Sequence, residues 1–197
     1  MNAYYMKCRP QDCDAVELAY RLGRVFVGYP AWFQGGTWDR SDVSKSMLDI
    51  SVPDAEWDPS RLIMQGSYRR GVTINRRYAR EIEPGSIVVI PRPRERLCHV
   101  GRIAGRFEFV RRPPWAEEYL ELRRRQGLDA SDEASHVGDV IHSWPVRDLR
   151  AVAYAEVPDW IRKGLRQRNQ IGRLPDRPDG GQTAYEALDA LLPGTRR

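Results

Sequence analysis

Five large rings fall within residues 23–38, GRVFVGYPAWFQGGTW: Phe26, Tyr29, Trp32, Phe33 and Trp38. The second half of the run mixes its rings with Pro30, Gly35 and Gly36, a composition of loops rather than of core strands or helices. Rings on a loop suit a flat ligand. A nucleobase taken out of its stack is such a ligand, and each face stacked on an aromatic side chain contributes roughly 1–3 kcal/mol. A methyl group on the base adds apolar contact and no hydrogen bond, so two or three rings make a natural detector of modification. Tyr29, Trp32 and Trp38 are the candidate walls, Trp144 the candidate facing wall, and Phe33 a reserve. The competing reading is core filling. It is preferred for Phe26 and Trp160, both readings stand for Trp144, and the pocket is preferred for Trp32 and Trp38. Trp57 and Trp115 read as local anchors.

The second chemical resource is arginine. The net charge is +5, and lysine occurs only at Lys7, Lys45 and Lys163. A guanidinium forks onto phosphate and stacks on bases, which suits a nucleic-acid partner; codon bias in a GC-rich genome gives the same composition. Three clusters crowd into residues 68–97: YRRG, NRRYAR and PRPRERL. Arg69, Arg70, Arg76, Arg77, Arg92 and Arg94 are the candidate phosphate ligands, and Arg80 and Arg96 lie beside them. Taken singly, each cluster reads equally as a solvated charged surface.

Catalytic patterns are absent from the sequence: it has no GxSxG, no P-loop and no kinase set. Cys8, Cys13 and Cys98 form no CxxC pair, and His99, His136 and His142 are scattered. No disulfide framework, metal site or cofactor is expected. Asp39 and Asp42 are open to two readings, a metal site or caps of a short helix at 43–48. The zinc ligands of a base deaminase are missing, whereas a carboxylate-only glycosidase stays open.

These residues need elements to position them. Residues 3–8 read as a first strand. Asp12 is a predicted cap of a helix ending at Leu22, closed by Gly23. RVFVGY is a second strand, and residues 30–60 form a long irregular segment. Thr73 is a predicted cap of a helix striped by Ile74, Tyr78 and Ile82, followed by a Pro84-Gly85 turn. SIVVIP, HVGRIAG and RFEFV read as an antiparallel meander. Residues 111–138 interrupt it with a charged helix whose narrow apolar stripe is Trp115, Tyr119 and Leu122. VIHSWPV and AVAYAEV are two more strands, PDWIRKGLRQRN a basic helix, RLPDRPDGGQ a linker and TAYEALDALLP a final amphipathic helix. Hairpin-joined strands exclude a doubly wound parallel sheet. The expectation is an α+β fold: a curved, mostly antiparallel sheet or small β-barrel with flanking helices.

In this order the motifs carry a resemblance. INRRYAREIEPGSIVVIPRPRERLCHVGRIAGRFEF, residues 74–109, resembles the middle of EVE-like domains of the PUA-like superfamily, where a helix enters a charged turn, a hydrophobic strand, a loop and a strand of the type IGRVxG. It is similar also to YTH domains and to the N-terminal modules of McrB-type modification-dependent restriction enzymes. AYYMKC, RVFVGYP running into the aromatic loop, and VIHSWPV ending in its tryptophan fit the same pattern. The resemblance covers roughly residues 3–174 apart from the insertion at 111–138.

The resemblance implies a nucleic-acid-binding module over residues 1–174 that reads a flipped base, a modified one foremost. DNA is preferred over RNA, in the setting of a restriction or defence system. Residues 175–197 are then linker and C-terminal helix. Modules of this sort are mostly fused to a nuclease or motor; none is visible here, so a separate effector protein is one expected partner. TAYEALDALLP is either its docking helix or a helix packed back on the domain. The alternatives are an enzyme acting on a base or nucleotide in the same pocket, and a protein–protein interaction module. SIVVI is too short to span a bilayer, and MNAYYMKCRP lacks a signal-peptide layout, so a cytoplasmic protein without membrane contact is expected.

Overall fold

The computed structural model describes residues 1–26, 66–110, 113–131, 133–167 and 169–193. Ile87–Ile90 are apolar at every position and all buried. Side chains along a strand alternate between faces, so such a run must be covered on both. Val88 and Ile90 join Tyr4 and Met6 in one apolar cluster, and Ile87 and Val89 join Ala3 and Tyr5 in another. The sheet between the clusters has seven strands: β1 (Ala3–Met6), β2 (Arg24–Val25), β3 (Ile87–Arg92), β4 (Leu97–Ile103), β5 (Glu108–Phe109), β6 (His142–Ala153) and β7 (Ile171–Arg173). Its order is β2-β6-β4-β3-β1-β7, with β5 also on β6. Only β1 and β3 run parallel. The result is a curled, mostly antiparallel α+β sheet flanked by helices.

Helices α1 (Val16–Leu22), α2 (Gly66–Glu81), α3 (Ala116–Arg125) and α4 (Glu133–Gly138) precede β6, and α5 (Asp159–Gly164) and α6 (Ala184–Asp189) follow it. On one face α1 contributes Val16, Leu18 and Ala19, and α3 contributes Tyr119 and Leu122. On the other, Ile161 of α5 and Ala184, Ala187 and Leu188 of α6 pack over Val89, Val100 and Val152. Thr183 closes the start of α6 with a reciprocal capping box to Glu186. Between the two readings of TAYEALDALLP, the helix therefore folds back on the domain. Among the described residues, no helix is long and apolar enough to cross a membrane.

Several predicted elements shift. Asp14, not Asp12, supplies the carboxylate at α1, accepting the Val16 N–H at 3.2 Å. Asp12 instead ends a short 3-10 turn, Pro10–Asp12, in the left-handed region at φ 64°. Gly23 closes α1 as expected, at φ 61°. Thr73 is not a cap: α2 already begins at Gly66, because Gly71 costs only about 1 kcal/mol inside a helix and does not stop it. VIHSWPV and AVAYAEV form one strand, β6, with Asp148 at φ 56° taking up the irregularity.

RFEFV is not the third strand of a meander. The chain bends after Ile103 rather than turning back, and β5 continues along the edge of β6 that β4 uses. Ala104 donates to the Pro145 carbonyl and Val110 to the Ile141 carbonyl, whereas Val146 donates the other way, to Gly23. A strand that the sequence reading lacks also lies between the predicted basic helix and the linker. Ile171–Arg173 pairs with β1 and covers the sheet edge that β1 would otherwise expose. Gly172 lies opposite Tyr5, whose ring covers it; a Cβ there would sit 2.4 Å from Tyr5 Cε1. Gly172→Ala is expected to destabilise the fold by about 1–3 kcal/mol, read as a lower urea midpoint at unchanged slope. An unchanged midpoint would mean that the Tyr5 ring gives way without cost.

Candidate functional site

The chain enters residues 27–65 from the end of β2, where Val25 is the Cα partner of Trp144 on β6. Tyr29, Trp32 and Trp38, with the reserve Phe33 and Trp57, lie outside the described residues. Trp144 is described and fully buried. The period of two along β6 puts His142, Trp144 and Val146 on one face. Phe107 packs between the first two rings, 5.0 Å from Trp144 at 65° and 5.3 Å from His142 at 33°. Trp144 Nε1 is buried and has no hydrogen-bond partner among the described residues. An unmet buried donor costs roughly 1–3 kcal/mol, and such a group needs an account in terms of strain, water or ligand.

Polar contacts fix the margin of this cluster. Arg24 donates to Ser143 Oγ at 3.0 Å and pairs with Glu108 at 2.6 Å. Its guanidinium lies 4.9 Å from the Trp115 ring centroid. Trp115 is the anchor its sequence position suggests: it packs on Phe26 and donates Nε1–H to the Val140 carbonyl at 3.1 Å. Phe26 is core, as expected, and Trp160 packs partly buried against the second apolar cluster.

Beneath Trp115, the insertion grips the turn between β1 and α1. Tyr119 Oη lies 3.2 Å from the Pro10 carbonyl and 3.1 Å from Asp139 Oδ2, and Arg123 donates to the Gln11 carbonyl at 3.2 Å. Burial pushes the Asp139 carboxyl above its ordinary range, and His136, Tyr119 and Arg123 pull it back. The Gln126 amide exchanges two hydrogen bonds with the Asp14 backbone, at 2.8 and 2.9 Å. Cys8, Gln11 and Asp12 all hold positive φ within this turn, a conformation that non-glycine residues keep only when their surroundings impose it.

The candidate phosphate ligands do not share one environment. Arg69 and Arg70 lie on α2, where only their backbone is described. Arg76 is buried, at 1% exposure. Arg77 is exposed and pairs with Glu81 at 2.7 Å. Arg92 is held by Asp14 and by Glu95. Arg94 is exposed on the short 3-10 turn Pro93–Glu95. A helix has several faces, so neighbouring arginines in NRRYAR cannot all point to one ligand. Phe107 and His142 escaped the sequence reading as members of the Trp144 cluster. For His142 the signal was available, two residues before Trp144 in a strand.

Burial lowers the His142 pKa to about 3. An unfolded histidine takes up its proton near pH 6.5. The folded state thus binds fewer protons between those values, and stability falls as pH drops from about 6.5 toward 3. One such group contributes a slope of about 1.4 kcal/mol per pH unit. Urea unfolding across this range is expected to show that slope, and a His142→Gln variant is expected to lack this part of it. Set against known proteins, the chain matches no family model, no curated protein and no solved structure.

Proposed function

We propose that the chain is a PUA-like, EVE-like module that binds nucleic acid and reads a base, a modified one foremost, in an aromatic pocket. DNA is the favoured polymer, and the module serves as the sensor of a modification-dependent restriction or defence system whose effector is a separate protein. The observation that carries this reading is the pairing of Val25 with Trp144. It joins the strand that leads into Tyr29, Trp32 and Trp38 to the strand that bears Trp144. The Trp144 indole N–H, without a partner among the described residues, adds a donor suited to a ring nitrogen or carbonyl of a base. The curled α+β sheet is consistent with a PUA-like domain.

The test is a low-salt binding titration of DNA and RNA oligonucleotides carrying methylated adenine, methylated cytosine or unmodified bases. Preference for one modified base is expected, with the preference lost in Trp32→Ala. Loss of one stack predicts a roughly five-fold or greater drop in affinity. Trp144→Ala removes a buried ring and costs about 3–5 kcal/mol of stability, so its binding is read only alongside circular dichroism. Failure of every oligonucleotide to bind would sink the proposal. Equal binding of modified and unmodified strands would remove base reading from it. A product accumulating with time would move it to the enzyme alternative.

A further inference from the structure

Carboxylates already hold many of the described arginines. Arg24, Arg77, Arg92, Arg102 and Arg123 each lie within ion-pair reach of an Asp or Glu. Arg94, Arg96 and Arg150 are exposed and have no ion-pair partner among the described residues. Arg94 and Arg96 lie at one end of the sheet, and Arg150 lies nearer its middle, as the Cα partner of Val100. Arg94 and Arg96 form the tip between β3 and β4, where Arg96 holds φ 55°. The Arg96 carbonyl accepts the Tyr154 N–H at 2.8 Å, which ties the tip to the end of β6. Arg150 lies on β6 three residues before Ala153, the Cα partner of Leu97. At about 3.3 Å per residue, that is roughly 10 Å along the strand.

The acids nearby are engaged. Asp14 and Glu95 both contact Arg92, Glu156 accepts the Ala153 N–H at 2.9 Å, and Asp148 pairs with Arg147. Arg92, Arg94, Arg96 and Arg150 against Asp14, Glu95 and Glu156 leave a positive surplus of one charge. Burial lowers the His99 pKa, and Arg92 lowers it further, so His99 adds no charge at neutral pH.

Beside the arginines stands an exposed ring. Tyr20 on α1 is 42% exposed and, with Met1, is one of the two exposed large apolar side chains among the described residues. Its hydroxyl shares a 2.8 Å hydrogen bond with His99 Nδ1, and the two rings meet edge to face at 5.4 Å. His99 is itself buried on β4, so the Tyr20 ring is fixed at its tip while one side stays open. Burial raises the proton affinity of the Tyr20 hydroxyl, and the Arg150 charge opposes that rise, which puts the guanidinium in electrostatic reach of the ring. A pre-oriented exposed ring beside unengaged arginines has the two parts that single-strand recognition needs: a stacking face and phosphate ligands.

We infer that Tyr20 is a stacking platform, with Arg94, Arg96 and Arg150 as its phosphate ligands, for a single-stranded stretch of nucleic acid. The inference rests on the nucleic-acid reading above and adds a second contact region. Arg150 is six residues along β6 from Trp144, about 20 Å, so this stretch lies several nucleotides from the base in the pocket.

The experiment titrates full-length protein with a short fluorescent oligothymidylate and with an abasic strand of equal length. Tyr20→Ala is expected to weaken oligothymidylate binding roughly five-fold or more and to leave the abasic strand unchanged. Tyr20→Phe, which keeps the ring and loses the His99 bond, is expected to bind nearly as wild type. Arg94→Gln and Arg150→Gln are each expected to flatten the logarithmic salt dependence by about 0.7. Wild-type binding that is indifferent to Tyr20→Ala, or a salt dependence unmoved by both arginine changes, would overturn the platform and leave base reading standing. If wild type binds no oligonucleotide, both readings fall. Binding of oligoglutamate through the same arginines would assign the patch to an acidic protein segment instead.

Discussion

One strand holds the candidate site together. β6 runs twelve residues and pairs with β4 and then β5 along one edge and with β2 along the other. Every ring of the Trp144 cluster takes its place from this strand or from a neighbour hydrogen-bonded to it. Pro145 in its middle has no N–H to give, which would break most central strands. Here it stands where β4 has ended and β5 has not begun, so no ladder bond is lost. Gly105 crosses at that point, and a Cβ on it would lie 3.1 Å from Pro145 Cγ. The absent donor, the glycine and the bend between β4 and β5 are thus one feature. That bend sends Phe107 toward Trp144 and His142.

The insertion works on a different principle. Its apolar stripe, Trp115, Tyr119 and Leu122, is narrow, and burial of three side chains leaves polar backbone of the adjacent turn to be satisfied. Tyr119, Arg123 and Gln126 meet that need by binding the Pro10, Gln11 and Asp14 backbone. A buried guanidinium and carboxylate gain little net stability over a well-packed apolar pair, yet breaking one partner leaves an unmet charge. The arrangement therefore favours definition over strength. It holds three left-handed non-glycine residues in place and sets the direction in which α1 leaves β1.

Much of this was legible in the sequence wherever local pattern decides the outcome. The continuous apolar run of β3, the Gly23 stop, the stripe of the insertion and the amphipathic pattern of α6 all depend on near neighbours. What escaped depends on distant ones. Ile171–Arg173 is too short to announce itself as a strand, and it becomes one because β1 offers an open edge. RFEFV has strand composition, but its partner was misassigned, since composition does not say whether a chain turns or bends. The arginine clusters show the same limit. Their spacing suggested one basic face, whereas ion pairing with acids remote in sequence, Asp14 with Arg92 above all, sorts them into engaged and unengaged groups. For the aromatic site, sequence order singled out Trp144 but could not weigh its full burial against a role at a surface.

The neighbours of β1 bear on how the chain acquires its structure. Tyr5 sits between Val89 on one side and Gly172 on the other, so the first strand made is flanked by segments synthesised much later. Contacts of such sequence separation close large loops before they return any stabilisation, and they slow folding. A nascent chain thus carries Tyr4, Tyr5 and Met6 as an unpaired apolar strand until β3 and β7 have been made. For that interval the protein is exposed to the off-pathway association typical of unpaired edges, and its safe arrival depends on speed of late assembly or on a chaperone.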